Sequence, residues 1–163
     1  MPGGVWGSQL VERFLSNAIN NIDAKGRVSV PAHFRQVLAG RGVRELYALQ
    51  AIGHPAIDVG GVDLLERYEA RMAAEDPFGE DYADMSLFAY GDGAFLKFDG
   101  EGRIMVTDFI RSHTGITDRV AFVGRNHFFQ LWEPSQFEAY RAEARARLTA
   151  RRQGRGAFES TPE

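Results

Sequence analysis

Two segments of this chain place an aspartate and an arginine four residues apart with a glycine between them. They are Asp23-Ala24-Lys25-Gly26-Arg27 and Asp99-Gly100-Glu101-Gly102-Arg103. These residue types suit two kinds of chemistry. An arginine at the start of a strand offers a planar fork of donors that fits guanine O6 and N7, and a neighbouring lysine supplies a point charge for phosphate. Equally, an aspartate can close a turn with its side chain and hold the arginine in a structural ion pair. The residues alone leave both readings open. In either one, Asp23 and Asp99 fix the turns through their carboxylates, and Gly26 and Gly102 supply the positive φ that a tight turn needs.

The elements that must position these residues repeat along with them. The stretch Asn21 to Val30 reads onto Lys97 to Val106, 76 residues further on, with Asp, Gly and Arg coinciding and the flanking apolar positions matching in character. This is the pattern of a strand–turn–strand unit. Alternation predicts Val28 and Val30 inward with Arg27 and Ser29 outward, and Ile104 and Val106 inward with Arg103 and Met105 outward. Pro31 is expected to open a short helix through Leu38 that buries Phe34, Val37 and Leu38, and Phe34-Arg35 falls on Ile110-Arg111. Thr107 or Asp108 is expected to cap a helix over Phe109 to Ser112. Strand-like runs follow in each half, Glu45 to Leu49 and Ala56 to Val59, then Arg119 to Val123 and Phe129 to Trp132. A helical stretch closes each half, Leu64 to Met72 and Gln136 to Leu148. The organisation read from this is a first repeat at 12–61, a helical connection at 62–90, a second repeat at 91–134, and a C-terminal helix with a basic tail at 135–163, disordered beyond Gln153. Repeats of this size bury too little apolar surface alone, so they are expected to interlock around one core.

Composition narrows the function classes. With 163 residues, 44% hydrophobic and 25% charged, the chain reads as a folded protein. There is no cysteine, which removes thiol catalysis, cysteine-based zinc sites and disulfides. No apolar run approaches the roughly 20 residues that span a bilayer, and Met1 to Gln9 lacks the pattern of a secretory signal. The histidines (His33, His54, His113, His127) have no metal-ligand spacing. The glycine-rich stretches match neither a calcium loop nor a phosphate loop. No metal, cofactor, small-molecule ligand or enzymatic activity is therefore expected, although an assembly module, or an enzyme whose site is built only in space, stays compatible with the residues.

The net charge of −3 is segregated along the chain. Asn20 to Gln50 carries five basic residues against two acidic ones, Asp58 to Ser86 nine acidic against two basic, and Ala139 to Arg155 six arginines against Glu143. A basic face can thus coexist with an acidic total. The arginines of the last helix are read as a solvated helix end whose cations suit the C-terminal dipole, and the acidic stretch Glu75 to Asp84 as a solvated connection.

On Asn20 to Pro31, Phe98 to Ile104 and Phe128 to Pro134, within a match running roughly from Phe14 to Leu148, the chain resembles the MraZ family, bacterial proteins with two AbrB/SpoVT-type units in one chain. The resemblance implies an α+β, mainly β fold: a swapped-hairpin, double-psi-like β-barrel built by two pseudo-symmetric repeats, with short helices and a longer C-terminal helix. It implies a ring-like homo-oligomer and a sequence-specific DNA-binding transcriptional regulator of the cell-division and cell-wall gene cluster. Repeated operator elements in the protein's own promoter region are the expected target, and the cytoplasm and nucleoid the expected location. The family's DNA contact maps onto Lys25 and Arg27, with Arg103 as the counterpart in the second copy. Arg35 and Arg13 are added as candidate phosphate contacts. This chain departs from the pattern at Glu101, which stands where the first copy has Lys25 and would repel phosphate.

Overall fold

A computed structural model describes the backbone of residues 10–159 and the side chains as far as residue 155. The Met1 to Gln9 segment and the end of the 135–163 unit (160–163) lie outside the described residues. In chain order the elements are β1 (Asn17–Asn21), β2 (Arg27–Ser29), α1 (Ala32–Gly40), β3 (Glu45–Gln50), β4 (Ala56–Gly60), α2 (Val62–Met72), α3 (Glu80–Ser86), a π-helical turn (Leu87–Gly91), β5 (Ala94–Lys97), β6 (Arg103–Met105), α4 (Asp108–Thr114), β7 (Arg119–Gly124), β8 (Phe129–Trp132) and α5 (Pro134–Glu159).

The architecture is mixed α+β. Six strands form an antiparallel sheet in the order β1-β7-β8-β4-β3-β5, and β2 pairs with β6 in a separate two-stranded ribbon. The hairpins β3–β4 and β7–β8 each lie within one half of the chain, whereas β1–β7, β3–β5, β4–β8 and β2–β6 each join a strand of one half to a strand of the other. The expected barrel is not closed. At three residues each, β2 and β6 are too short to form ladders with β1 and β5 as well as with each other. The links there reduce to the turn bonds, Asp23 N–H to Arg27 O and Asp99 N–H to Arg103 O, and to the Asn20 amide donating to Ser29 O.

Strand alternation gives the sheet two distinct faces. The inner face, with Leu46, Ala48, Ile57, Val59, Val120, Phe122, Phe129 and Leu131, packs against Val28, Val30, Ile104 and Val106 of the ribbon region and against Phe34 and Ile110 of α1 and α4. Val28 is wholly buried and Ile104 nearly so, each favouring the fold by roughly 1.5–3 kcal/mol. That burial holds the ribbon on the core and leaves its other face to solvent. The outer face is covered in two places, by α2 over Leu49 and Phe128 and by the start of α5 over Ala121 and Trp132.

Three local expectations change. Pro31 is extended (φ −54°, ψ 144°) and precedes α1 instead of opening it. Thr107 occupies the position before α4 but makes no capping bond, and among the described residues its buried hydroxyl has no partner. Finally, α5 continues past Gln153 to Glu159, because a run of alanines and arginines favours helix enough to carry Gly154.

Candidate nucleic-acid interface

Each aspartate organises its turn through both carboxylate oxygens. Asp23 Oδ1 accepts the N–H groups of Lys25 and Arg27, both at 2.9 Å, while Oδ2 accepts Arg27 Nε at 2.9 Å. Asp99 repeats this with the N–H groups of Glu101 at 2.9 Å and Arg103 at 3.0 Å, and with Arg103 Nε at 2.7 Å. Gly26 and Gly102 take φ of 82° and 77°, a region that costs any other L-residue strain. The Arg27 backbone N–H, ahead of the other contacts, holds the Asp23 carboxyl below its ordinary range. The Arg103 backbone N–H does the same for Asp99, and the bond to Asp99 raises the Arg103 guanidinium further.

The ribbon then brings the two turns together. Its register sets Arg27 opposite Met105, Val28 opposite Ile104 and Ser29 opposite Arg103. Antiparallel pairing is extended by Val30 N–H to Gly102 O and Val106 N–H to Gly26 O. With Val28 and Ile104 inward, the outward face is Arg27, Ser29, Arg103 and Met105. Arg27 and Arg103 are diagonal neighbours on that face, a spacing of roughly 7–8 Å between Cα atoms. Their side chains are only 28% and 24% exposed, because the carboxylates hold them against the turn and do not let them trail into solvent.

The two arginines differ in their company. Among the described residues Arg27 pairs with Asp23 alone, and Lys25 pairs with no carboxylate. Arg103 faces three: Asp99, Glu101 at 3.5 Å and Asp23 at 3.9 Å. Arg35 also reaches the ribbon region: its Nε donates to Val30 O at 3.0 Å, and its Cδ lies only 2.5 Å from where a Cβ on Gly102 would sit. Its repeat counterpart Arg111 is committed to carbonyls, with an NH1 bond of 2.6 Å to Thr117 O. Arg13 is not part of the cluster. Its carbonyl bonds His33 Nε2, and its exposed side chain makes no hydrogen bond or ion pair with the ribbon residues. Arg41, counted in the basic segment by sequence, is used internally on Asp63, His127 O and Glu12 O.

Sequence reasoning missed a second polar group on the outer face of the sheet. Asp58 on β4 and Gln130 on β8 face each other, and Gln130 Nε2 donates to Asp58 Oδ1 at 2.8 Å. Tyr68 of α2 donates to Asp58 Oδ2 at 2.8 Å, and Trp132 Nε1 donates to Gln130 Oε1 at 3.0 Å. Burial pushes the Asp58 carboxyl up, and burial and the facing carboxylate raise the Tyr68 phenol. An open groove of about 1100 Å³ beside α2 has this pair in its lining, with charges of both signs along its walls. The signal was present in the sequence as a lone polar residue inside two apolar strands, Ala56-Ile57-Asp58-Val59 and Phe129-Gln130-Leu131-Trp132.

Comparison with known proteins adds the family context. A family model described as "MraZ protein, putative antitoxin-like" matches residues 90–156. The "Transcriptional regulator MraZ" of Rhizobium johnstonii is 62% identical over 135 residues, covering 83% of this chain and 93% of that protein. The protein of the same name from Rhizobium meliloti is 58% identical over 135 residues, covering 83% and 92%. That from Xanthobacter autotrophicus is 40% identical over 152 residues, covering 93% and 97%.

Proposed function

Because the chain belongs to the MraZ family, we propose that it is a transcriptional regulator that binds DNA sequence-specifically through the outward face of its β2–β6 ribbon. The observation that carries this reading is the ribbon itself, where two arginines from segments 76 residues apart stand side by side on one exposed face, each oriented by its own aspartate. A guanidinium fixed before binding loses less entropy on meeting a base edge, and a two-stranded ribbon fits the major groove. Lys25 and Arg27 carry the contact. Arg103 adds to it less, since Glu101 and Asp23 offset its charge, and Arg35 and Arg13 serve as phosphate contacts. Asp23, Gly26, Asp99 and Gly102 keep the turns in shape.

The cross-paired halves, 12–61 and 91–134, are read as a swapped-hairpin unit of the AbrB/SpoVT type. One ribbon offers few cations, so several copies in a ring-like oligomer on repeated operator elements would multiply weak contacts through effective concentration. The target is the upstream region of the bacterial cell-division and cell-wall gene cluster, and the site of action the cytoplasm and nucleoid. Among the described residues no helix is long and apolar enough to cross a membrane.

The test is a titration of labelled duplex from that upstream region, and of a shuffled duplex, between 50 and 200 mM salt. The reading expects preference for the native duplex and a log–log salt slope of magnitude about 3 or more, since several phosphates release counterions. Equal affinity for both duplexes, or no salt dependence, would overturn it.

A further inference from the structure

The two helices that close the halves occupy equivalent places, α2 after β4 and α5 after β8, yet α5 is strongly basic while the segment that follows α2 is acidic. On α2 and the segment after it, Glu66, Glu69, Glu75, Asp76, Glu80, Asp81 and Asp84 are all exposed, and among the described residues none stands in an ion pair. On α5 the basic residues are Arg141, Arg145, Arg147, Arg151, Arg152 and Arg155, and among the described residues only Arg141 meets a carboxylate, that of Glu138. Among the described residues no ion pair joins the two charged surfaces within one chain.

Among the described side chains, those in the far half of α5 as far as Arg155 are exposed. The helix docks through Phe137, which is buried, and Tyr140, whose ring stacks on Trp132 at 4.9 Å. Ala144 is half-buried, and every residue from Leu148 to Arg155 is exposed. At 1.5 Å per residue the part from Leu148 to Glu159 projects roughly 18 Å. A projecting helix with an exposed leucine (Leu148, 46% exposed) among arginines suits a partner surface with an apolar centre and an acidic rim. The α2–α3 connection offers one. Phe78 is 98% exposed, on a turn that the Asp76 carboxylate fixes by accepting the Phe78 N–H, and Glu75, Asp76, Glu80 and Asp81 surround it in sequence.

We propose that the projecting end of α5 docks on the Phe78 segment of a second copy of this chain, Leu148 against Phe78 and the arginines against the carboxylates. Such a contact joins two different surfaces, so it runs head to tail and closes into a ring when the rotation permits. The opposite charges of α5 and of the Phe78 segment give the contact its direction, because α5 against α5 and that segment against itself both repel. This deepens the self-association reading and rests on it.

The experiment uses three full-length variants and light scattering after size exclusion at 50 mM salt. The first reverses the helix (R145E/R151E/R152E), the second reverses the acidic surface (E75K/D76K/E80K), and the third carries both sets. Wild type is expected as a multiple of the 18.2 kDa chain. Each single-set variant is expected to fall to that mass, with an unchanged far-ultraviolet circular dichroism spectrum. Mixing the two equimolar, or combining both sets in one chain, is expected to restore the larger mass. A monomeric wild type would defeat self-association itself. An assembled wild type whose single-set variants stay equally large would defeat only this contact. Single-set variants that keep their size but bind DNA at least tenfold more weakly in the helix-reversed form alone would reassign α5 to DNA, which also overturns the proposal. Failure of the mixture to recover the larger mass, after both variants had lost it, would overturn the pairing as well.

Discussion

The two turns of the ribbon are built alike and charged differently. Asp23 and Asp99 accept the same three donors at nearly the same distances, and Gly26 and Gly102 adopt the same left-handed backbone. The difference lies between them, where Lys25 in the first turn becomes Glu101 in the second. Glu101 lies 3.5 Å from Arg103 and adds a third carboxylate to its surroundings, whereas Arg27 answers to one. A duplicated unit can thus keep its structural half intact while one copy keeps the cationic surface and the other is offset. Both aspartates and both glycines take part in the same turn geometry. The proposed reading of DNA depends mainly on the first turn.

Making the first turn resemble the second breaks the comparison most severely. Lys25→Glu should weaken operator binding by about a hundredfold in the assembled protein, through one lost phosphate contact and one added repulsion per copy. Its urea midpoint should stay within experimental error of wild type, since among the described residues the Lys25 side chain bonds to nothing. A large shift in the midpoint would mean that Lys25 is structural.

The glycines sharpen the structural side. Alanine at either position adopts a strained φ, costing about 1–2 kcal/mol. At Gly26 the new Cβ meets only Met105 Sδ at 3.3 Å, but at Gly102 it meets Arg35 Cδ at 2.5 Å. Gly102→Ala should therefore lower unfolding free energy more than Gly26→Ala, by up to about 1 kcal/mol for displacing Arg35. Equal losses in urea titrations would show that Arg35 moves aside freely.

The reverse exchange, Glu101→Lys, should raise affinity by a smaller factor, about tenfold, and steepen the salt slope by about 1 to 2 per copy that contacts DNA. Unchanged affinity and slope would place the second turn away from the duplex.

The smallest effects are in pH. Asp23 and Asp99 have folded pKa values depressed below the unfolded ones, so their contribution is complete above the unfolded value and is lost as pH falls through the folded one. Buried Asp58 has the opposite sign. Its folded pKa is raised, so its ionisation costs stability as pH climbs from the unfolded value through the folded one. Asp58→Asn should therefore gain relative to wild type as pH rises above about 4, while Asp99→Asn loses most above about pH 4. Thermal melts across that range check both signs.

Much of this arrangement is legible in the sequence. Local rules sufficed for Val28, Ile104 and the glycine turns, because alternation and positive φ are properties of a few adjacent residues. The helix over Phe34, Val37 and Leu38 was legible for the same reason. What escaped depended on distant partners. Asp58 and Gln130 meet only because β4 pairs with β8, and Arg103 approaches Asp23 only because β2 pairs with β6. Thr107 had the right residue type for a cap, yet its hydroxyl was buried without making the bond. The end of α5 runs beyond Gln153 because the helix propensity of its alanines and arginines outweighs a glycine and a dense positive charge.

The first turn is proposed to matter more to DNA than the second, and a single titration separates the two. Wild type, Arg27→Ala and Arg103→Ala, each shown folded, would be measured on the upstream duplex at one fixed salt. Arg27→Ala is expected to lose at least tenfold in affinity, consistent with about 1–3 kcal/mol for a specific arginine contact, and Arg103→Ala distinctly less. A folded Arg27→Ala protein that binds like wild type, or an Arg103→Ala protein that loses as much as Arg27→Ala, would contradict it.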